Sequence, residues 1–77
     1  MDTKSLQLFS HLAQTLHFGR TSEAFHMSPS TLSRHIKQIE NEIGHMLFNR
    51  DNRSVQLTTE GERFNQYALE SLSQWRN

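Results

Sequence analysis

The sequence predicts a mainly α-helical domain with one β-hairpin between its third and fourth helices. Three observations carry this. Apolar residues recur at helical spacing in three separate stretches. Capping residues mark helix ends, with Ser28-Pro29 opening one helix and Gly44 closing it. Between residues 47 and 57 the pattern changes to a short apolar run, an Asp-Asn pair and an alternating stretch.

Leu6, Phe9, Leu12, Ala13 and Leu16 share one face, so Thr3 to Leu16 is expected to be a helix with one buried side. His17-Phe18-Gly19 is expected to break it. A short second helix should run from Gly19 or Arg20 to Phe25, with Ala24 and Phe25 inward. His26-Met27-Ser28 makes a tight turn. In the third helix Ser28 is the N-cap, Pro29 sits in the first turn, and Leu32, Ile36, Ile39 and Ile43 form the apolar stripe. At about 100° per residue, Ser30, Arg34, Lys37, Gln38 and Asn41 gather on the opposite side. Leu47 to Arg50 reads as a strand, and Asp51-Asn52 as a two-residue turn. Arg53 to Leu57 returns with Val55 and Leu57 on one face. Thr58 caps a fourth helix, where Glu60 and Glu62 suit the helix dipole. Phe64, Ala68, Leu72 and Trp75 form its stripe, with Tyr67 beside it.

Two short helices joined by a tight turn and followed by a hairpin make a winged helix-turn-helix. Residues 1–58 form that unit, with the helix-turn-helix at about 18–37. Residues 59–77 form a linker or dimerisation helix. The stripe of Phe64, Ala68, Leu72 and Trp75 has two readings, cover for the domain's own core or an interface with a second chain. An exposed apolar stripe favours the second. The end at Asn77, with no capping signal, suggests a cut at a domain boundary.

Composition narrows the function classes. Seventy-seven residues allow one modest core, and no cysteine supplies a disulfide or a thiolate metal site. The five histidines lack ligand spacing on any one helix face. No nucleophile–base pairing or phosphate loop suggests an enzyme. No apolar run approaches the ~18 residues of a membrane span and no signal peptide opens the chain, so the expected compartment is the cytoplasm. Eight basic and eight acidic residues give zero net charge, which counts against a purely electrostatic nucleic-acid binder. Distribution matters more. Between Met27 and Ile39 stand Arg34 and Lys37 and no acid; most of the acids cluster elsewhere, at Glu40, Glu42, Glu60, Glu62 and Glu70.

The third helix therefore presents a polar face suited to the major groove of DNA. Arg34 is the first choice for a base contact, since arginine bonds guanine O6 and N7 together. Ser28, Pro29, Ser30, Thr31 and Ser33 lie in the first turns, where recognition helices meet DNA. Pro29 can touch a thymine methyl or merely start the helix. Ser33 reads equally as helix-start chemistry. Lys37, a turn further on, suits a phosphate. Arg50 and Arg53 flank the wing turn and should hold the backbone. Asn52 at the tip makes the turn or reaches the minor groove. Thr58 caps its helix and can offer its hydroxyl to a phosphate. A winged helix that binds protein instead of DNA is the competing function.

Leu6, Phe9, Phe18, Ala24, Ser28, Leu32-Ser33-Arg34, Ile36, Ile39-Glu40, Ile43-Gly44, Leu47-Phe48, Arg50, Leu57-Thr58 and Gly61 together resemble the DNA-binding domain of LysR-type transcriptional regulators. The sequence departs from that pattern at Thr21-Ser22, where two alanines are usual, at Met46 for proline and at Glu60 for alanine. The second helix must therefore accept two small hydroxyls near its packing face, and they are expected to bond back to their own helix at little cost. The resemblance implies no cofactor in this domain and an effector-binding domain beyond Asn77 that senses a small metabolite. It implies a homodimer through the fourth helix, or a tetramer when full length, on an interrupted palindrome in double-stranded DNA, with RNA polymerase as a further partner. His17-Phe18-Gly19-Arg20, Ser28 to Arg34 and Arg50-Asp51-Asn52-Arg53 are similar to family members that activate isoleucine–valine biosynthesis genes.

Overall fold

The computed structural model describes residues 1–51 and 53–75, with the backbone alone for 74 and 75. Helices α1 (Thr3–Thr15), α2 (Phe18–Ala24) and α3 (Pro29–Ile43) precede strands β1 (Phe48–Arg50) and β2 (Val55–Leu57), and α4 (Thr59–Trp75) follows. This is the expected winged helix-turn-helix with a long final helix. Among the described residues no helix is long and apolar enough to cross a membrane.

Local chemistry sets each boundary. Asp2 caps α1 by accepting from the Ser5 N–H at 2.9 Å. That N–H, then the Ser5 hydroxyl, holds the Asp2 carboxyl below its ordinary pKa. α1 stops one residue before the expected Leu16, which takes a left-handed conformation at φ 53°. Residues 17–19 do break α1, but α2 starts at Phe18, one residue before the earlier of the two expected starts, Gly19 and Arg20. The reason is His17, whose Nδ1 accepts from the Arg20 N–H at 3.1 Å and so acts as the cap.

Ala24, expected inward on α2, is exposed, whereas Phe25 is half-buried and packs on the core as expected. Thr21 and Ser22, the two hydroxyls expected near the packing face, are only 0% and 3% exposed. Ser22 Oγ donates back to the Gly19 carbonyl at 3.0 Å, as hydroxyls inside helices do. Thr21 does not back-bond. Its hydroxyl lies 2.8 Å from His11 Nδ1 and 3.0 Å from Thr15 Oγ1, so it ties α2 to α1. A polar side chain this buried must be paired, and two partners on the neighbouring helix pair it.

Ser28 caps α3 through the Thr31 N–H at 3.2 Å, and Gly44 ends it at φ 87°, donating to the Glu40 carbonyl. The buried stripe of α3 closes at Ile39, because Ile43 is 38% exposed. In the hairpin, Phe48 faces Leu57 and Arg50 faces Val55 in antiparallel register. Four residues therefore connect the strands, not two. Asp51 explains the longer loop: its Oδ1 accepts from the Arg53 and Ser54 N–H groups, both at 2.8 Å. Asn52 lies outside the described residues.

The core joins Leu8, Phe9, Leu12 and Ala13 of α1 to Leu32, Ile36 and Ile39 of α3 and to Leu47 and Phe48. Phe9 sits between Phe48, at 5.2 Å between ring centres, and Phe64, edge-on at 4.8 Å. α4 lies along α1, where Ser10 Oγ donates to Asn65 Oδ1 at 3.0 Å. This corrects the expectation for two stripe residues. Ala68 is fully buried within its own chain, and Phe64 packs on the core, so α1 already covers both. At Gly61 the first turn of α4 passes so close to the Leu47 carbonyl that a Cβ would overlap that oxygen.

Candidate nucleic-acid interface

The helical period that buries Leu32, Ile36 and Ile39 turns the other side of α3 outward. Ser30, Ser33, Arg34, Lys37, Gln38 and Asn41 line an open depression of about 430 Å³ along it. Gln38 and Asn41 were placed on this face by the period but not counted among the contact residues. Each carries both a donor and an acceptor, the pairing an adenine edge requires.

The first turn of α3 is internally bonded. Ser28 Oγ donates to Thr31 Oγ1 at 2.9 Å while accepting the Thr31 N–H, and it lies 3.2 Å from Ser30 Oγ. Thr31 Oγ1 in turn accepts from Arg34 Nη2 in a long contact of 3.4 Å. Arg34 stays exposed. Pro29, Lys37 and Arg53 are exposed as well.

The root of the wing is fastened to α3 by a group that the spacing did not single out. Glu40 Oε2 accepts from the Leu47 N–H at 2.8 Å and the Phe48 N–H at 3.2 Å. Two amides that the hairpin leaves without a strand partner are thereby satisfied. Glu40 on the apolar edge of α3, beside Ile39, was the one available signal. At the end of β1, Arg50 Nη1 donates to Ser33 Oγ at 2.8 Å, and its Cζ stands 4.5 Å from the centre of the Phe18 ring. Three elements thus meet at one guanidinium.

Thr58 is the cap of α4, accepting the Gly61 N–H at 3.0 Å. Its hydrogen goes to the Met46 carbonyl at 2.6 Å. The expectation that this hydroxyl also serves a phosphate is therefore corrected: its one proton is already donated. On α4, Tyr67 is 57% exposed and Leu69 52% exposed, while Leu72 borders a groove against α1 with Gln7, His11 and Phe25. Leu69 did not figure in the predicted stripe. The Trp75 side chain lies outside the described part. Among the described residues no group of three or more metal-ligating side chains comes together.

Comparison with known proteins agrees with this architecture. Residues 3–62 match the model of bacterial regulatory helix-turn-helix proteins of the lysR family. The HTH-type transcriptional activator IlvY of Salmonella typhimurium is 49% identical over 76 residues, covering 99% of this chain and 26% of that protein. The HTH-type transcriptional regulator HdfR of Salmonella newport is 40% identical over the same length and coverage of this chain, and 27% of its own. This chain therefore spans about a quarter of the length of these curated relatives. Among solved structures, the BenM DNA-binding domain on catB site 1 DNA superposes with a TM-score of 0.91 at 32% identity, covering 99% of this chain and 82% of that one. Full-length OxyR C199D from Pseudomonas aeruginosa gives 0.90 at 38% identity, covering 99% and 26%. Fold, residue pattern and family match coincide, and the chain belongs to the LysR family of bacterial regulatory helix-turn-helix proteins.

Proposed function

We propose that this domain binds double-stranded DNA sequence-specifically, with the start of α3 in the major groove and the wing along the backbone. One observation carries the reading: the acid-free outward face of α3, where Ser30, Ser33, Arg34, Lys37, Gln38 and Asn41 lie together. A buried stripe on the other side fixes which way that face points. The BenM domain, solved on DNA, has the same fold. Arg34 reads guanine, Ser30 and Thr31 meet the DNA at the helix start, and Pro29 touches a thymine methyl. Lys37 and Arg53 hold phosphates.

The domain acts as a homodimer on an interrupted palindrome, and as a tetramer when full length. Tyr67 and Leu72, with Trp75 and the exposed Leu69, supply the α4 interface. The whole protein works in the cytoplasm as an activator of isoleucine–valine biosynthesis genes, through a metabolite-sensing domain and contact with RNA polymerase. The 49% identity to IlvY supports this finer reading. Selection of bound duplexes from a random pool tests it. An interrupted palindrome is the expected product; a one-sided motif would remove the dimer, and no motif would remove sequence-specific binding. Zero net charge favours a second reading, a protein-binding winged helix. In that case the duplex affinity stays weak and equal for all sequences at two salt concentrations.

A further inference from the structure

We infer that Arg50 is a positioning residue for Ser33: it presents the Ser33 hydroxyl to DNA as a pure hydrogen-bond donor, for a phosphate oxygen. The inference rests on the reading of α3 as the groove helix. It replaces the expectation that Arg50 itself grips the backbone.

Three observations lead there. Strand alternation puts Arg50 on the same side of β1 as the buried Phe48, and from there its exposed side chain reaches back to α2 and α3. Its Nη1 reaches Ser33 Oγ at 2.8 Å. Its Cζ lies 4.5 Å over the Phe18 ring. The stack on α2 and the hydrogen bond to α3 hold the guanidinium from two separate elements. A lysine ammonium lacks the planar fork that can lie on a ring and donate sideways at once.

The chemistry of the contact then decides what Ser33 can do. Guanidinium only donates, so the Ser33 oxygen is the acceptor and its own hydrogen points elsewhere. A charge-assisted bond to that oxygen polarises the O–H and strengthens it as a donor. Ser33 lines the outward depression beside Arg34 and Lys37, on the flank nearest the wing. A donor there meets the strand that the wing follows. Because the donor is neutral, it displaces no counterion when it binds.

The test is a double-mutant cycle with Ser33→Ala, Arg50→Lys and the double variant of the full chain. Affinity is measured for a selected duplex and a scrambled one at several salt concentrations, at temperatures where melting curves show every variant folded. Each single change is expected to weaken both duplexes by about 3–10-fold, the worth of one ordinary hydrogen bond. The double variant should be no weaker than the weaker single. The slope of log affinity against log salt should stay unchanged. Wild-type affinity in Arg50→Lys would overturn the inference alone, by showing that charge suffices. Losses that multiply in the double variant would overturn it too, by showing two independent contacts. If the wild-type chain itself fails to distinguish the selected duplex from the scrambled one, the DNA reading falls and this inference with it.

Discussion

At the residue scale, positions on α3 and in the wing are assigned different work, and binding measurements separate them. Arg34→Ala is expected to cost about 1–3 kcal/mol on a selected duplex and to relax preference at one base pair. Lys37→Ala or Arg53→Ala should weaken every sequence alike and lower the salt slope by about one. Identical behaviour of the two kinds of variant across a panel of duplexes would contradict the division. The caps made by hydroxyl residues were legible in the sequence, because a cap is a contact between residues three apart, whereas the caps at Asp2 and His17 were not picked out. Ser28 and Thr58 fall where their type and neighbours put them. What Thr58 does with its proton was not legible, since Met46 is twelve residues away and an ordinary sequence pattern carries no trace of it. The same holds for Arg50 and Ser33, seventeen residues apart.

At the scale of elements, the long helices followed from periodicity, whereas α2 and the wing loop did not. Seven residues are too few for a period to override capping, so His17 moved the start of α2, and Ala24, expected inward, lies exposed. The wing depends on two carboxylates. Glu40→Ala should leave the Leu47 and Phe48 amides without an acceptor and cost about 1–3 kcal/mol, read from urea denaturation. Asp51 works in the open loop. The Arg53 N–H, then the Ser54 N–H, holds its carboxyl below the ordinary value. A carboxyl whose folded pKa is depressed adds stability above its unfolded pKa and loses it as pH falls through the folded value. Loop order is therefore expected to persist through neutral and mildly acidic pH. It should fade only below the usual aspartate range near about 3.9, which an acid titration of the Arg53 and Ser54 amide resonances would follow. Loss of those resonances already between pH 5 and 6 would assign the loop to some other group.

At the scale of the whole molecule, α1 is the element that the rest shares. It contributes Leu8, Phe9, Leu12 and Ala13 to the core and lies along α4, which is why Ala68 is buried and Phe64 half-buried within one chain. Spacing alone could not distinguish a stripe facing α1 from one facing a second chain, because both demand the same apolar period. Exposure separates them: Tyr67 and Leu69 remain outside. If the proposed dimer forms through this face, changing both to Glu is expected to leave the single domain folded and to give a monomer in sedimentation where the unchanged chain gives a dimer. A dimer that survives the change would place the interface elsewhere. The joint between α4 and the wing has a mechanical consequence. Thr58 holds Met46 through its hydroxyl and Leu47 through its N–H, and at Gly61 the helix backbone rests on the Leu47 carbonyl with no side chain between. With the two backbones in direct contact, a torque applied along α4 is expected to turn the hairpin root as one piece with it, as a shaft turns a keyed wheel.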